Sequence, residues 1–228
     1  DDAYIFTKIV EGIGGLPVGS QGRVITLFSG SIDSLVSTYL LLKRGSLPYP
    51  LFLDPGRTGE EGEERILDLC RRLLKFHPEL KLLTAPFRPL LEEISEKIPE
   101  KMRWIVCRRM YLRLAQSIAE EVGAKALVSS ADINQISSWP LENVKIIEEK
   151  IEYPLLYPLT GFDEEQISSI GKEIIGSGRP PEDLHPCPQT VPEPSDMDLE
   201  GIQEKEKNIL EKELMESSLA SLEIHELR

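Results

Sequence analysis

Short apolar runs and longer amphipathic runs alternate along most of this chain. Apolar runs of about five residues are typical of buried strands, whereas apolar positions spaced by three and four indicate helices. The alternation predicts an α/β fold, in which a mostly parallel sheet is covered by helices on both faces. The predicted strands are 23–28, 49–53, 80–84, 125–129 and a shorter one near 154–157, and the predicted helices are 34–44, 61–76, 88–97, 100–122, 139–149 and 163–175.

The two ends of the chain depart from this alternation. Tyr4–Val10 predicts a strand, and the glycine-rich run 12–19 predicts a turn-rich connection after it. Residues 177–196 contain six prolines and no periodicity, and 197–216 predicts an acidic helix. We therefore expect three parts: a strand and linker from an upstream domain (1–22), a nucleotide-binding domain (23–196) and an acidic C-terminal helix (197–228).

One helix start carries a complete set of local signals. Asp163 stands at the N-cap position, and Gln166 occupies the glutamine place of a capping box. An apolar stripe at helical spacing follows, made of Ile167, Ile170 and Ile174. The pattern predicts a helix that begins at Asp163 and turns this stripe towards the core.

Composition narrows the class of protein. The chain has 228 residues, 40% of them hydrophobic, and no apolar run approaches transmembrane length, so we expect no membrane partner. Its three cysteines are scattered and form no C-x-x-C pair, which argues against a disulfide framework and against a zinc or iron–sulfur site built from this chain alone. This cysteine usage favours a cytoplasmic location.

The charge pattern bears on nucleic-acid binding. A formal net charge of −13 argues against a broad nucleic-acid surface on this chain. A basic segment nevertheless runs from Lys97 to Arg113, and within it Arg109 and Arg113 share one face of the predicted helix. Two interpretations stay open for these arginines: contact with phosphates, or an ordinary helix face on which they snorkel or pair with an acid.

The segment Ser29–Ser34, with the sequence SGSIDS, lies between the first buried strand and its following helix. Backbone N–H groups converge at such a turn, and the helix dipole adds positive potential, so the turn is suited to hold phosphate. It lacks the lysine of a Walker-type loop and resembles the S-G-G-x-D-S loop of ATP pyrophosphatases, with Ser31 in place of the second glycine. The alternative is a plain strand-to-helix turn in which Asp33 caps the helix.

Other segments extend this likeness along the chain, in the order Gly14–Gly19 (GGLPVG), Ser29–Ser34, Arg108–Arg113 (RRMYLR), Gly123–Val128 (GAKALV) and Pro154–Leu159 (PLLYPL). Together they resemble the ATP pyrophosphatase (PP-loop) domain of tRNA 4-thiouridine synthases, the ThiI family. The resemblance runs from about Tyr4 to about Pro194 and includes neither the THUMP nor the rhodanese domain of that family. It implies a Rossmann-like, adenine nucleotide alpha hydrolase type of fold.

The resemblance implies a two-step reaction. ATP adenylates a tRNA uridine, and a cysteine persulfide then delivers sulfur to give 4-thiouridine. Asp33 is implied as the essential acid of the loop, acting through Mg²⁺, and Cys187 stands at the place of the persulfide cysteine. The implied nucleotide-binding positions are Leu27, Phe28, Ser29, Gly30, Ser31, Ser34, Phe52, Leu53, Arg109, Ser130 and Trp139.

Cys187 is the strongest functional candidate among the cysteines, because it lies in a proline-rich segment beside His185, which we expect to favour its thiolate. Cys70 and Cys107 lie on helical patterns, where free cysteines are usually small core residues. If Cys187 carries sulfur, a second thiol must resolve it, and Cys107 is our first choice because it lies near the basic helix. A packed loop cysteine without chemistry is the alternative.

The resemblance also implies partners: tRNA bound through a domain outside this chain, and a cysteine desulfurase or free sulfide as sulfur donor, with a homodimer as one possible assembly. Family positions depart at Ser31, Ser130, Ala131, Trp139 and Glu164. Two alternatives therefore stand beside the ATP-dependent sulfurtransferase. One is a degenerate nucleotide-binding module without turnover, and the other is an adenylating enzyme of thiamine biosynthesis.

Overall fold

A computed structural model describes residues 3, 5–9, 12, 14–131, 141–178, 181–187, 199–209 and 211–228. Its centre is a six-stranded sheet in the order β5-β4-β1-β2-β3-β6. Five strands run parallel and β6 runs antiparallel to β3 at one edge. The strands are β1 (Gly22–Leu27), β2 (Ser46–Asp54), β3 (Leu80–Pro86), β4 (Leu127–Val128), β5 (Leu155–Leu156) and β6 (Glu223–Leu227).

Helices cover both faces of the sheet, as the alternating pattern predicts. They are α1 (Ile32–Lys43), α2 (Gly59–Arg71), α3 (Arg88–Lys97), α4 (Glu100–Val122), α5 (Leu141–Glu148), α6 (Glu164–Ile175), α7 (Leu199–Glu206) and α8 (Glu211–Ala220), with a 3₁₀ turn over Arg72–Lys75. One core layer lies under α1, α2 and α6 and includes Phe28 and Phe52. The other lies under α3 and α4 and includes Trp104.

The strand order creates one switch point. The chain passes from β1 through β2 to β3, and then returns to place β4 on the opposite side of β1. The connections that leave β1 and β4 therefore diverge to opposite sides at their carboxyl ends, where open α/β sheets bind ligands. The Ser29–Ser34 loop leaves β1 at this point, and Ser129 and Ser130 leave β4 beside it.

The Asp163 cap and the apolar stripe behind it are confirmed. The Asp163 side chain accepts a hydrogen bond from the Gln166 backbone N–H at 2.8 Å, and the Gln166 side chain accepts one from the Asp163 backbone N–H at 2.9 Å. Ile167 and Ile174 are buried against the α1 side of the sheet, and Ile170 is partly buried there. This capping box fixes the start of α6 and thereby sets which face meets α1.

The C-terminal segment differs from the prediction of one acidic helix over 197–216. Two short helices, α7 and α8, occupy the described part of this region, and the chain continues into β6. Leu227 of β6 pairs with Leu80 of β3 and is buried, so the last residues of the chain complete the sheet edge. The predicted strand Tyr4–Val10 is also not borne out, because the described residues 5–9 form no strand; Tyr4 and Val10 lie outside the description.

The glycine-rich linker packs against the end of α1. The Leu16 backbone N–H donates a hydrogen bond to the Lys43 carbonyl oxygen at 2.9 Å, and a β-carbon on Gly15 would lie only 2.2 Å from that oxygen. Gly15 has a φ of +104°, which favours glycine for a second reason. Among the described helices, none is long and apolar enough to cross a membrane.

Candidate functional site

A cavity of about 260 Å³ lies at the switch point, over the carboxyl ends of β1 and β4. Leu27, Ser29, Ser31 and Asp33 line it from the β1 side, and Ser130 lines it from the β4 side. These are five of the positions that the sequence singles out. Side chains that the sequence does not single out as ligands also line it, among them Trp104, Arg108, Tyr111, Tyr157, Asp183 and His185.

The loop from β1 to α1 is held by its own serines. Ser31 is the N-cap of α1, and its Oγ accepts hydrogen bonds from the Ser34 backbone N–H at 3.2 Å and from the Ser29 hydroxyl at 3.1 Å. Ser31 has a φ of −72°, an ordinary value, so serine takes this place without strain. Asp33 lies in the first turn of α1 and is not its cap, which leaves its carboxylate in the cavity wall.

Helix α4 lines the cavity with one face. Trp104, Arg108 and Tyr111 follow helical spacing and all reach the cavity. The Arg108 guanidinium stacks over the Trp104 ring at 5.0 Å from its centroid. Burial lowers the pKa of Arg108 to about 10, so Arg108 keeps its positive charge at neutral pH.

Arg109 occupies a different place from the phosphate contact that the resemblance implies. It is fully buried, and its Nε donates to Glu206 Oε1 at 2.5 Å while its Nη2 donates to Glu206 Oε2 at 3.1 Å. Arg113, one turn later, donates to the same carboxylate at 2.8 Å. The alternative of pairing with an acid is therefore what the structure shows, and the cavity receives its neighbour Arg108.

Several implied nucleotide positions lie in the core rather than in the cavity wall. Phe28, Phe52 and Leu53 are buried, and the Phe28 backbone N–H already donates to the Leu51 carbonyl oxygen at 2.9 Å. Ser34 is buried within the N-terminal turn of α1, where its hydroxyl donates to the Ser31 carbonyl oxygen at 2.9 Å. Trp139 lies outside the described residues.

Residues 181–187, which we call the strap, cross the loop and carry Cys187 to α4. The Leu184 backbone N–H donates to the Ser29 carbonyl oxygen at 2.8 Å, and Glu182 pairs with Arg65 of α2. Gly30 has a φ of +83°, and a β-carbon there would lie 2.9 Å from the Glu182 carbonyl oxygen. The strap therefore packs directly on the loop.

Cys187 forms a disulfide with Cys107, across a Cα–Cα distance of 5.6 Å and 80 residues of sequence. This is the pair that the sequence ranks first for a resolving thiol, although the scattered cysteines argue against disulfides in general. Both residues are buried: Cys107 is 0% exposed and Cys187 is 2% exposed. In the disulfide state neither side chain lines the cavity. Cys70 remains a free thiol, and burial raises its pKa, so it stays protonated.

His185 does not supply the positive charge expected beside Cys187. Burial, together with the charges of Arg108 and Arg57, holds the pKa of His185 well below its ordinary value. Its Nδ1 accepts a hydrogen bond from the Cys187 backbone N–H at 3.0 Å. His185 is therefore a neutral ring that holds the backbone of Cys187, and Arg108 supplies the charge in this region.

The wall of the cavity combines the groups that phosphate chemistry needs. Hydroxyls and backbone of the loop, the Arg108 guanidinium and the carboxylates of Asp33 and Asp183 face one space. Carboxylate oxygens are the protein ligands that Mg²⁺ prefers, so these two residues fit that ion. The sequence contains a pattern that could have predicted the role of Arg108, because Trp104, Arg108 and Tyr111 are spaced so that they lie on one helix face.

Comparisons with known proteins show the family of this chain. The sequence model of the family described as thiamine biosynthesis protein (ThiI) matches residues 19–209. A probable tRNA sulfurtransferase of Methanothermobacter thermautotrophicus is 37% identical over 76% of this chain and 46% of its own length. A second one, of Moorella thermoacetica, is 34% identical over 98% of this chain and 58% of its own length.

A solved structure gives the same result in three dimensions. A crystal structure of a 4-thiouridine synthetase–RNA complex with bound ATP matches 96% of this chain and 58% of that chain, with a TM-score of 0.81 and 33% identity. The chain thus spans about half the length of the relatives that it matches. Because the family model covers most of the sequence and the fold agrees, this chain belongs to the ThiI family.

Proposed function

We propose that this chain is the catalytic domain of an ATP-dependent tRNA sulfurtransferase that converts a tRNA uridine into 4-thiouridine. One observation carries the proposal: the cavity at the switch point brings the phosphate loop, Arg108 and the base of the cysteine strap together. The relatives named tRNA sulfurtransferase, and the ATP and RNA in the matched crystal structure, support it.

The first step is adenylation of the uridine. Its O4 attacks the α-phosphorus of ATP, the N3 proton leaves, and pyrophosphate departs. Ser29 and Ser31 hold the pyrophosphate end on the loop, and Arg108 offsets the negative charge that develops at the α-phosphate. Asp33 and Asp183 would hold a Mg²⁺ ion, which neutralises phosphate charge when bound.

The second step transfers sulfur. The persulfide of a cysteine desulfurase transfers its outer sulfur to the Cys187 thiolate, so that Cys187 becomes the persulfide and the desulfurase cysteine leaves as a thiolate. Sulfide reaches the same state by attacking Cys187 Sγ of the Cys107–Cys187 disulfide, and the Cys107 thiolate leaves. The outer sulfur of this persulfide attacks C4 of the adenylated uridine, and AMP leaves. The Cys107 thiolate then attacks Cys187 Sγ, which forms the Cys107–Cys187 disulfide and releases 4-thiouridine. A small dithiol must reduce this disulfide before the next turnover.

The disulfide joins two cysteines that are 80 residues apart in sequence and adjacent in space. In the reduced protein, Cys187 is released from α4 and is held only through the strap, so it is able to turn towards the cavity beside His185. The oxidised form shown by the structure corresponds to the state after sulfur release. We propose that tRNA is recruited through parts of the protein outside this chain, consistent with its net charge of −13.

The test uses the intact protein with a tRNA transcript, ATP, Mg²⁺, a dithiol and either sulfide or a cysteine desulfurase with cysteine. We expect pyrophosphate release that depends on tRNA, followed by 4-thiouridine in the RNA. Asp33→Ala should abolish both without unfolding the domain, because Asp33 is a half-buried residue of the first turn of α1 that lines the cavity and lies outside the buried core. Glu60→Ala is the matched control, since Glu60 is also an acid in the first turn of a helix but lies outside the cavity.

Three other outcomes would contradict the proposal. ATP binding without pyrophosphate release indicates a degenerate nucleotide module. Pyrophosphate release that ignores tRNA and follows a thiamine precursor indicates an adenylating enzyme of that pathway. Full turnover by Asp33→Ala reduces Asp33 to a structural member of the first turn of α1.

A further inference from the structure

His185 is held from several sides between the cavity and Cys187. Its Nδ1 accepts the Cys187 backbone N–H at 3.0 Å, and its own backbone N–H donates to Asp183 Oδ1 at 3.1 Å. Its carbonyl oxygen accepts from Arg57 Nη2 at 3.2 Å, and its ring packs on Tyr111 with 5.0 Å between centroids. The position of the imidazole is therefore set by contacts from α4, from the turn before α2 and from the strap itself.

The hydrogen bond to Nδ1 fixes the tautomer of His185. A nitrogen that accepts a backbone N–H carries no proton, so the neutral ring has its proton on Nε2. The charged and titratable groups packed around the ring are Arg108, Arg57, Asp183 and Tyr111. Because Nδ1 is the acceptor in this contact, Nε2–H is the donor of the ring.

The two nitrogens of His185 serve different neighbours. Nδ1 is engaged by Cys187, which lies behind the cavity wall. The ring lines the cavity together with Asp33, Arg108 and Ser29, so Nε2–H is the nitrogen left for an occupant. The same ring thus contacts the residue proposed to carry sulfur and the space proposed to hold the substrate.

We propose that His185 is a positioning residue that couples the occupant of the cavity to Cys187. Its Nδ1 holds the Cys187 backbone, and its Nε2–H donates to an oxygen of the bound substrate, either a phosphate oxygen of the nucleotide or a carbonyl oxygen of the target base. The inference rests on the proposed function for its substrate half. The half that concerns Cys187 stands on the contacts alone.

The coupling has a mechanical consequence for the strap. The backbone N–H of Leu184, next to His185, donates a hydrogen bond to the Ser29 carbonyl oxygen of the loop. A hydrogen bond from Nε2–H to a substrate oxygen would add a second contact, between the strap and the bound substrate. This holds Cys187 in one orientation during sulfur transfer, after the disulfide that otherwise holds it has been reduced. When the substrate is bound and the disulfide is reduced, His185 therefore holds Cys187 in position, a role that Cys107 has in the oxidised state.

Two substitutions separate the two nitrogens. Asparagine accepts a hydrogen bond from the N–H two residues on, as in an Asx turn, so His185→Asn keeps the Nδ1 function and loses the Nε2 donor. His185→Gln places an amide near the Nε2 position and disturbs the short turn, whereas His185→Ala loses both. His77→Asn is the control for the substitution itself, because His77 is a half-buried histidine outside the cavity whose Nδ1 contacts the Glu79 carbonyl oxygen at 2.5 Å and no cysteine.

The Cys187 half is tested without activity. The fraction of Cys107–Cys187 disulfide in the intact protein is measured by peptide mass spectrometry over a series of glutathione buffers. We expect His185→Asn and His77→Asn to follow the wild type, and His185→Ala and His185→Gln to shift the midpoint. ¹⁵N spectra of labelled histidine should show His185 neutral with the proton on Nε2. Protonation on Nδ1, or an unshifted midpoint in His185→Ala, would overturn this half.

The substrate half is tested by titration and by rate. The His185 Nε2–H resonance should move on addition of AMP or ATP if it meets a phosphate, and only on addition of tRNA with ATP if it meets the base. Thiolation by His185→Asn should fall ~10-fold, the size of one lost hydrogen bond, and His185→Gln should recover part of it. An unmoved resonance, or an unchanged rate in His185→Asn, overturns this half. If the wild type itself fails to thiolate tRNA, the proposed function fails while the glutathione series still decides the role of His185 at Cys187.

Discussion

Arg109 of α4 and Glu206 of α7 form a buried, two-point ion pair across 97 residues of sequence, with N–O distances of 2.5 and 3.1 Å. The Arg109 side chain is fully buried, and Arg113 donates to the same carboxylate. The pair fastens the C-terminal helices to the helix that carries Cys107 and Arg108. It therefore explains how an acidic C-terminal segment packs against α4, the helix that lines the cavity with its other residues.

Removing the acid of this pair should destabilise the whole domain. Glu206→Gln leaves two buried guanidinium groups without their shared carboxylate, and breaking a buried pair in this way costs about 3–5 kcal/mol. In a chain of this size that corresponds to a fall in melting temperature of roughly 10 °C. Glu204→Gln, on the exposed face of the same helix, should stay within about 0.5 kcal/mol of the wild type. Equal melting temperatures for the two variants would contradict the prediction.

The same pair predicts a pH dependence. Burial alone would raise the pKa of Glu206, but hydrogen bonds and charge from Arg109 and Arg113 outweigh it and lower the pKa below its ordinary value. A lowered pKa in the folded state adds stability above the unfolded pKa of about 4.3, and this stability is lost as pH falls through the folded value. The difference in unfolding free energy between the wild type and Glu206→Gln should therefore shrink below about pH 4. A difference that stays constant down to the acid transition would contradict this.

Much of this fold follows from local signals in the sequence. The Asp163 capping box, the stripe behind it and the strand-to-helix turn at Ser31 each have a local physical cause, so the sequence predicts them. Strand β6 was missed, because a five-residue edge strand containing two glutamates lacks the alternation of a half-buried strand. It is a strand because β3 offers it a partner, and that is a long-range property.

The site shows the same division. Ser29, Ser31 and Asp33 line the cavity as the sequence predicts, but Ser34 is buried in α1 and Arg108 stands in the cavity wall in place of Arg109. Adjacent residues on a helix differ by about 100° in direction, so a basic run alone does not tell which arginine faces a ligand. The deciding partner, Glu206, comes from a helix whose docking the sequence does not show.

The cysteine pair predicts different defects for its two members. Cys187→Ser should abolish thiolation and leave ATP-dependent adenylation intact, because the hydroxyl cannot carry the outer sulfur. Cys107→Ser should allow the first attack but not the release, so tRNA should accumulate as a disulfide adduct on Cys187 that a dithiol frees. Non-reducing gels of labelled tRNA measure this adduct.

The control for both variants is Cys70→Ala, which removes the free buried thiol on the opposite side of the sheet. It should retain thiolation and form no adduct of its own. If thiolation persists in Cys187→Ser, sulfur reaches the base from sulfide or from another residue. If adenylation also disappears in Cys187→Ser, the cysteine has a structural role.

The serine that replaces a family glycine in the loop should not be what limits nucleotide binding. Ser31 has an ordinary φ and caps α1 with its hydroxyl, so Ser31→Gly should cost only a few tenths of a kcal/mol in stability. The affinity for ATP, measured by calorimetry, should change by less than about threefold, below one hydrogen bond in free energy. Gly30→Ala is the contrasting variant, because φ of +83° and the Glu182 carbonyl oxygen 2.9 Å from a β-carbon both oppose a side chain there. A large gain in ATP affinity for Ser31→Gly would show that the serine narrows the site.

The neighbours Arg108 and Arg109 give the sharpest test of how α4 divides its two tasks. Arg108→Gln removes the positive charge that lines the cavity, so adenylation should fall by about 10²-fold or more, as for the loss of a preorganised charge contact. Arg108 contacts the cavity and not the C-terminal helices. The melting temperature of Arg108→Gln should therefore fall much less than that of Arg109→Gln. Arg109→Gln leaves the buried Glu206 with Arg113 as its remaining arginine partner and should lose about 3 kcal/mol or more of stability. At a temperature where Arg109→Gln remains folded, it should keep most of the adenylation rate, measured as tRNA-dependent pyrophosphate release. The reverse pattern, with activity lost in Arg109→Gln and stability lost in Arg108→Gln, would return the phosphate contact to Arg109.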